Sequence, residues 1–350
     1  MLLDAETLRK TTEIHPEVLE FAKANPSPPM DWGDLKGFRE RMDSFVLSEE
    51  GRAMLEPPEA GIIEETRTIP MRDGFQSTIK IHRPRHPPSA GSPLIVFFFG
   101  GGFITGSVDQ GTPFARAWTR LFGATVVCPA YCLAPEHKFP TSQYDAWDSV
   151  AWLDSHATEL GADPKLGFIV SGISAGGTCA SAVATHAIEH QLTNPITGQF
   201  LNVPSLMNKE GCPEKYQPYF LANEQNKEDP ISPTDALRII AGYTGEDPAS
   251  PWRFPVYTKA PLAQQPPAYI QVDGRDPLRD DGLIWEEMLK EAGVPTKIDL
   301  YPGCPHAHAA FMPGMDVSNK AVADQMVGVG WLLGRTVTAE QGLAAMRSLA

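Results

Sequence analysis

Residues 94–99 read Leu-Ile-Val-Phe-Phe-Phe, an unbroken apolar run closed by Pro93 on one side and by Gly100, Gly101 and Gly102 on the other. A strand with one wet face alternates apolar and polar residues. A run without polar residues suits a strand covered on both faces, as inside a parallel sheet. The same unit recurs along the chain. ATVVCPAY precedes a helical QYDAWDSVAWLDSHATEL, GFIVSG precedes AGGTCASAVATHAIEH, and AYIQVDG precedes GLIWEEMLKEAG. TKIDLYPG and a helix near 317–333 follow. Apolar strands alternating with helices predict an α/β fold, a mostly parallel, doubly wound sheet.

Two segments depart from that rhythm. The N-terminal HPEVLEFAKAN and DLKGFRERMDSFV space their apolar residues three or four apart, as short helices do. IIEETRTIPMR and FQSTIKIHRP then flank Asp73-Gly74, a hairpin turn. Between Leu206 and Pro267 the pattern breaks, apart from a helix in SPTDALRIIAGYTG with Ser232 expected as N-cap and Pro233 in the first turn. An interruption of roughly sixty residues in a regular α/β pattern usually serves function. The expectation is one domain over 1–350, with a helical cap built from about 1–55 and 206–260.

The chemistry centres on Gly172-Ile173-Ser174-Ala175-Gly176. A serine between glycines, after a strand and before a helix of small residues, sits on a tight turn that lifts its hydroxyl above the sheet. Upstream, Gly100-Gly101-Gly102 ends a buried strand. Taken alone it fits a flexible loop as well as a backbone cradle for a developing oxyanion, and its place about seventy residues before the serine favours the cradle.

FGGGF, YCLAPEHKFP, GISAGG, DPLRDDG and YPGCPH, in that order, resemble the signatures of the hormone-sensitive-lipase-like branch of the α/β-hydrolases. That branch holds many microbial and fungal esterases, and a plant group that includes the gibberellin receptors. The resemblance runs from about Leu94 to the end. It implies a carboxylic-ester hydrolase with Ser174 as nucleophile, Asp276 as triad acid and His306 as base. It also implies that Gly101, Gly102 and Ala175 supply the oxyanion-hole N–H groups. The order Ser, Asp, His agrees with this fold, and Asp276 and His306 each follow a predicted strand.

Three positions depart from the family pattern. Phe99 stands where the loop-orienting histidine is usual, Ile173 replaces a frequent Asp, and His308 follows closely on His306. His306 keeps the family spacing after Gly303 and is the expected base. An extended 306–308 segment would point both imidazoles one way, and a turn opening a helix would send them apart. His137 reads as a buried structural histidine, and Asp273 and Asp280 as loop or surface residues. Trp252, Phe254 and Tyr257 fit either an acyl pocket or simple packing of the cap.

Composition narrows the function classes. Forty-three acidic residues against twenty-nine basic ones give a net charge of −14, which disfavours nucleic acid and anionic membranes as partners. No apolar stretch reaches the roughly eighteen residues of a membrane span, and Asp4 and Glu6 interrupt any signal-peptide core. The five cysteines lack paired spacing, so neither a zinc site nor a disulfide framework is expected, and reduced thiols fit a cytoplasmic protein. No GxGxxG or Walker sequence follows a strand, and no cofactor is expected. The expected partner is a small, soluble, short-acyl ester. Alternatives are a deacetylase, lactonase or cyclase of a natural-product pathway, and a hydrolase-like small-molecule receptor.

Overall fold

The computed structural model describes residues 4–26, 30–46 and 60–347. Of the expected N-terminal cap, 1–3, 27–29 and 47–55 lie outside the described residues. Eight strands form one sheet: β1 Ile62–Pro70, β2 Gln76–Pro84, β3 Leu94–Phe98, β4 Thr125–Pro129, β5 Phe168–Ile173, β6 Gly198–Asn202, β7 Ala268–Arg275 and β8 Thr296–Pro305. Their order is β1-β2-β4-β3-β5-β6-β7-β8, parallel from β4 to β8, with β1 and β2 an antiparallel hairpin at one edge. Asp73 closes that hairpin by accepting the Phe75 N–H at 2.9 Å.

The apolar run of β3 lies between β4 and β5, with Val96 opposite Val127 on one side and Val170 on the other. Successive side chains alternate between faces. Leu94, Val96 and Phe98 enter one core, while Ile95 and Phe97 enter the other. Each fully buried side chain of this size contributes roughly 2 kcal/mol of apolar transfer free energy, so a single polar substitution here would injure one face or the other.

The first core is roofed by α5 Thr141–His156, α6 Ala175–Glu189 and α9 Arg279–Glu291. The second is roofed by α4 Thr112–Phe122, α11 Asp316–Leu332 and α12 Ala339–Arg347. Helix α4, strand β6 and helix α12 have no counterpart in the sequence reading. In β6 the residues Gln199 and Asn202 break the apolar signature; inside the sheet Gln199 donates from Nε2 to Gln265 Oε1, and Asn202 donates from Nδ2 to Gln271 Oε1.

The irregular segments meet each other beside the glycine loop. The N-terminal helices are α1 Ala5–Lys10, α2 Pro16–Ala24 and α3 Leu35–Val46; α7 Ala222–Gln225 and α8 Thr234–Thr244 come from the later segment, and α10 His308–Phe311 follows β8. Phe38 of α3 packs with Ile104 and Ala134, joined by Ile240 and Tyr243 of α8. Arg39 donates from Nε to the Ile104 carbonyl at 2.7 Å and from Nη2 to the Ala134 carbonyl at 2.8 Å. Helix α8 starts one residue later than its sequence suggests. Pro233, in extended backbone, occupies the N-cap, and the Ser232 N–H instead closes a turn on Asp229 Oδ1 at 2.8 Å.

Candidate active site

The C-terminal ends of β3, β5, β7 and β8 converge where an open α/β sheet places its site. Ser174 joins β5 to α6 with φ 56° and ψ −118°, backbone that a residue with a side chain adopts only under strain. Such a conformation costs about 1–3 kcal/mol and persists where its surroundings enforce it. Here the enforcement is steric. A Cβ on Gly172 would lie 2.2 Å from the Gly176 carbonyl oxygen, and one on Gly176 would lie 2.1 Å from that of Phe98. Both glycines are needed for β5, α6 and β3 to meet this closely.

His306 directly follows β8 and Asp276 directly follows β7. Their side chains form a chain with the serine: His306 Nε2 is 2.8 Å from Ser174 Oγ, and Nδ1 is 2.7 Å from Asp276 Oδ2. A carboxylate only accepts, so Nδ1–H donates to Asp276 and Nε2 accepts the serine hydroxyl. Asp276 is fully buried, and its Oδ1 takes the Leu278 N–H at 2.8 Å. Burial alone would depress the His306 imidazole, but the Asp276 charge and hydrogen bond, with Asp273 behind them, hold its pKa above the ordinary 6.5.

His308 belongs to a separate pair. Ala307 takes a left-handed backbone (φ 57°) and His308 opens α10, so the two rings diverge. His308 donates from Nδ1 to Asp273 Oδ1 at 2.8 Å, and its backbone N–H reaches Asp273 Oδ2 at 3.2 Å. Both residues are only 2% exposed. Asp273 is therefore neither loop nor surface; it ties down the turn that carries His306. Burial pushes its carboxyl above the usual range, and His308 draws it partly back.

Asp280 is also buried. It accepts Arg279 Nε at 2.7 Å and the N–H groups of Leu221 and Ala222 at 2.5 and 2.6 Å. Arg279, fully buried, donates to the Leu8 carbonyl at 3.0 Å and to Thr11 Oγ1 at 2.9 Å, which ties α1 to the start of α9. Sequence reasoning missed this arginine, though an Arg among three aspartates in DPLRDD was the available signal.

The glycine loop turns back on itself. Gly101, at φ 124°, accepts the N–H groups of Ile104 and Thr105 at 3.0 and 3.1 Å, and a Cβ there would lie 2.3 Å from the Thr105 oxygen. Phe99 is buried beneath it, stacked on Tyr131 at 4.1 Å between ring centroids. Tyr131 donates its hydroxyl to the Phe99 carbonyl at 2.7 Å. The phenylalanine thus fixes the loop root by stacking, and the polar tie comes from Tyr131. Ile173 packs with the second core. Ala175 opens α6 immediately after the serine, and helix N-terminal N–H groups favour negative charge there.

Other expected residues lie elsewhere. His137 is exposed, not buried, and its ring faces Phe75 at 6.3 Å. Trp252 packs on Tyr144 and His186, Phe254 lies under Arg253, and Tyr257 donates to Asn208. All three residues serve the packing of the irregular segment. The five cysteines are free and buried, and no described helix is long and apolar enough to cross a membrane.

Residues 95–310 match a family profile described as the alpha/beta hydrolase fold. An AB hydrolase superfamily protein of Schizosaccharomyces pombe is 30% identical over 327 residues, 93% of this chain and 96% of the relative. The versiconal hemiacetal acetate esterase of Dothistroma septosporum is 33% identical over 245 residues, 69% of this chain and 74% of that enzyme. Among solved structures, vibralactone cyclase superposes with a TM-score of 0.88 at 27% identity, over 95% of this chain and 98% of its own.

Proposed function

The chain belongs to the α/β-hydrolase fold family, and from that premise we propose that it hydrolyses carboxylic esters through an acyl-enzyme on Ser174. The carrying observation is the unbroken hydrogen-bonded series from Ser174 through His306 to Asp276. In this reading His306 Nε2 takes the hydroxyl proton as Oγ attacks the ester carbonyl. Asp276 holds the imidazole in the required tautomer and stabilises the imidazolium that forms. The N–H groups of Gly101, Gly102 and Ala175 receive the oxyanion, each donor worth about 3 kcal/mol of barrier. His306 then protonates the leaving alkoxide, and a water activated by the same base releases the acid.

The substrate reading is a soluble small molecule with a short acyl group. It is supported by the roof over the loop, where Ile240 Cδ1 comes within 3.1 Å of the Cβ position of Gly102. We assign α1–α3 and the 206–260 segment to a cap on a single domain, on the strength of the α3–α8 packing beside Gly102. The net charge of −14 disfavours interfacial attack on an anionic lipid surface. Retention of the base and acid favours turnover over a receptor role. A second reading, a tailoring deacetylase, lactonase or cyclase, is favoured by the TM-score of 0.88 to a structure titled vibralactone cyclase and by the versiconal hemiacetal acetate esterase relative.

A fluorophosphonate probe should label Ser174, and Ser174→Ala should abolish both labelling and turnover of p-nitrophenyl acetate. Labelling that survives in the variant rejects the nucleophile. A higher kcat/KM on emulsified long-chain triglyceride than on p-nitrophenyl butyrate rejects the substrate class.

A further inference from the structure

Helix α6 bears Ser174 at its N-terminal end and a second group of donor side chains at its other end. The last turn carries His186 and Glu189, and His190 is the C-cap, its N–H bonded to the His186 carbonyl at 2.9 Å. Positions i, i+3 and i+4 share one helix face. One ligand atom from each of the three residues lies within 4.8 Å of the others. At 1.5 Å per residue the group stands about 20 Å from the serine, so the proposed hydrolysis does not use it.

We propose that His186, Glu189 and His190 bind one divalent transition-metal ion of the Zn²⁺ class. Two imidazoles and a carboxylate are the donor set that borderline cations prefer, and three protein ligands leave a position for water. The spacing His-x-x-Glu-His is one by which a single helix presents two imidazoles to zinc. The site also lies at the negative end of the α6 dipole, where unpaired carbonyls favour a cation.

The local packing prepares one ligand and leaves two adaptable. His186 is half-buried, held edge-on by Trp147 of α5 at 4.4 Å and against Trp252 at 4.3 Å. Glu189 and His190 are exposed and can swing, and the His190 ring already lies 4.0 Å from that of His186. Arg72 is the opposing charge. Its guanidinium is paired with Asp148, Nη2 to Oδ1 at 2.7 Å and Nε to Oδ2 at 3.0 Å, which offsets its repulsion. Because Trp147 and Trp252 come from α5 and the 206–260 segment, an ion here would brace those elements at the far end of the nucleophile helix.

Calorimetric titration of ZnCl₂ into the metal-free full chain should give one Zn²⁺ per chain. His190→Ala and Glu189→Gln, both at exposed positions, should each weaken binding by at least about tenfold. Saturating Zn²⁺ should raise Tm in the parent protein and leave Tm of His190→Ala unchanged. Esterase turnover of His190→Ala in metal-free buffer should match the parent. Absence of binding overturns the proposal. So does undiminished affinity in both variants, which would move the ion to another histidine.

Discussion

Two carboxylate–imidazole pairs lie within a few residues of each other, and removing each histidine should have opposite signatures. His306→Ala deletes the imidazole bonded to Ser174 Oγ at 2.8 Å. Loss of a triad base costs about 10⁶ in kcat, equivalent to about 8 kcal/mol of barrier. The ring is 22% exposed, so its removal leaves no sealed cavity and Tm should move by only a few degrees. His308→Ala makes the reverse trade. It empties a site that is 2% exposed and strips Asp273 of its partner at 2.8 Å, leaving only the weaker backbone N–H at 3.2 Å. Breaking a buried pair from one side costs about 3–5 kcal/mol. Protonation of Asp273, whose carboxyl burial already pushes up, relieves part of that. A Tm loss of roughly 5–10 °C is expected, with kcat at 25 °C within about tenfold of the parent. Asp273→Asn, which keeps an acceptor and sheds the charge, should lose less. The assay is p-nitrophenyl acetate turnover alongside calorimetric melting, with circular dichroism as the check on folding. A folded and active His306→Ala would refute the assignment. An inactive His308→Ala with unchanged Tm would refute the structural role of the second pair.

The pH profile should carry the imprint of Asp276. His306 must be neutral to act as base, and its pKa is raised, so kcat/KM should fall as pH drops through a value above 6.5. Asp276→Asn removes the charge that opposes burial; the acid limb should move to lower pH while kcat falls by about 10⁴. A limb unmoved in that variant would assign the titration to another group. Tyr131→Phe keeps the stack on Phe99 and deletes one hydrogen bond of 2.7 Å, so kcat should fall by no more than about tenfold. Phe99→His should likewise stay within about tenfold, since the oxyanion donors are backbone groups; a thousandfold gain would mean that the natural loop is crippled.

What was legible in the sequence was what depends on neighbours along the chain. The β3 run, the Gly172–Gly176 turn and the hairpin at Asp73 are each set by steric or apolar demands within about six residues, and each forms as read. The buried polar network was not legible, because its partners are distant. Asp273 meets a histidine 35 residues on, Asp280 meets backbone 59 and 58 residues back, and Arg279 reaches a carbonyl 271 residues back. Pattern reading assigns an unexplained carboxylate to the surface because burying a lone charge is costly. The inference fails only where a remote donor meets it, and the chain around Asp276 assembles such donors repeatedly. The same Asp–His chemistry is then used twice at the ends of β7 and β8, and what separates the pairs is the far nitrogen of each ring. His306 Nε2 faces the Ser174 hydroxyl, whereas His308 Nε2 is buried with no hydrogen-bond partner among the described residues. A base needs a proton source at that nitrogen as well as a carboxylate at the other. Residue identity offered two candidates for the base and spacing favoured His306; the backbone turn at Ala307 aims that ring, and not His308, at the serine.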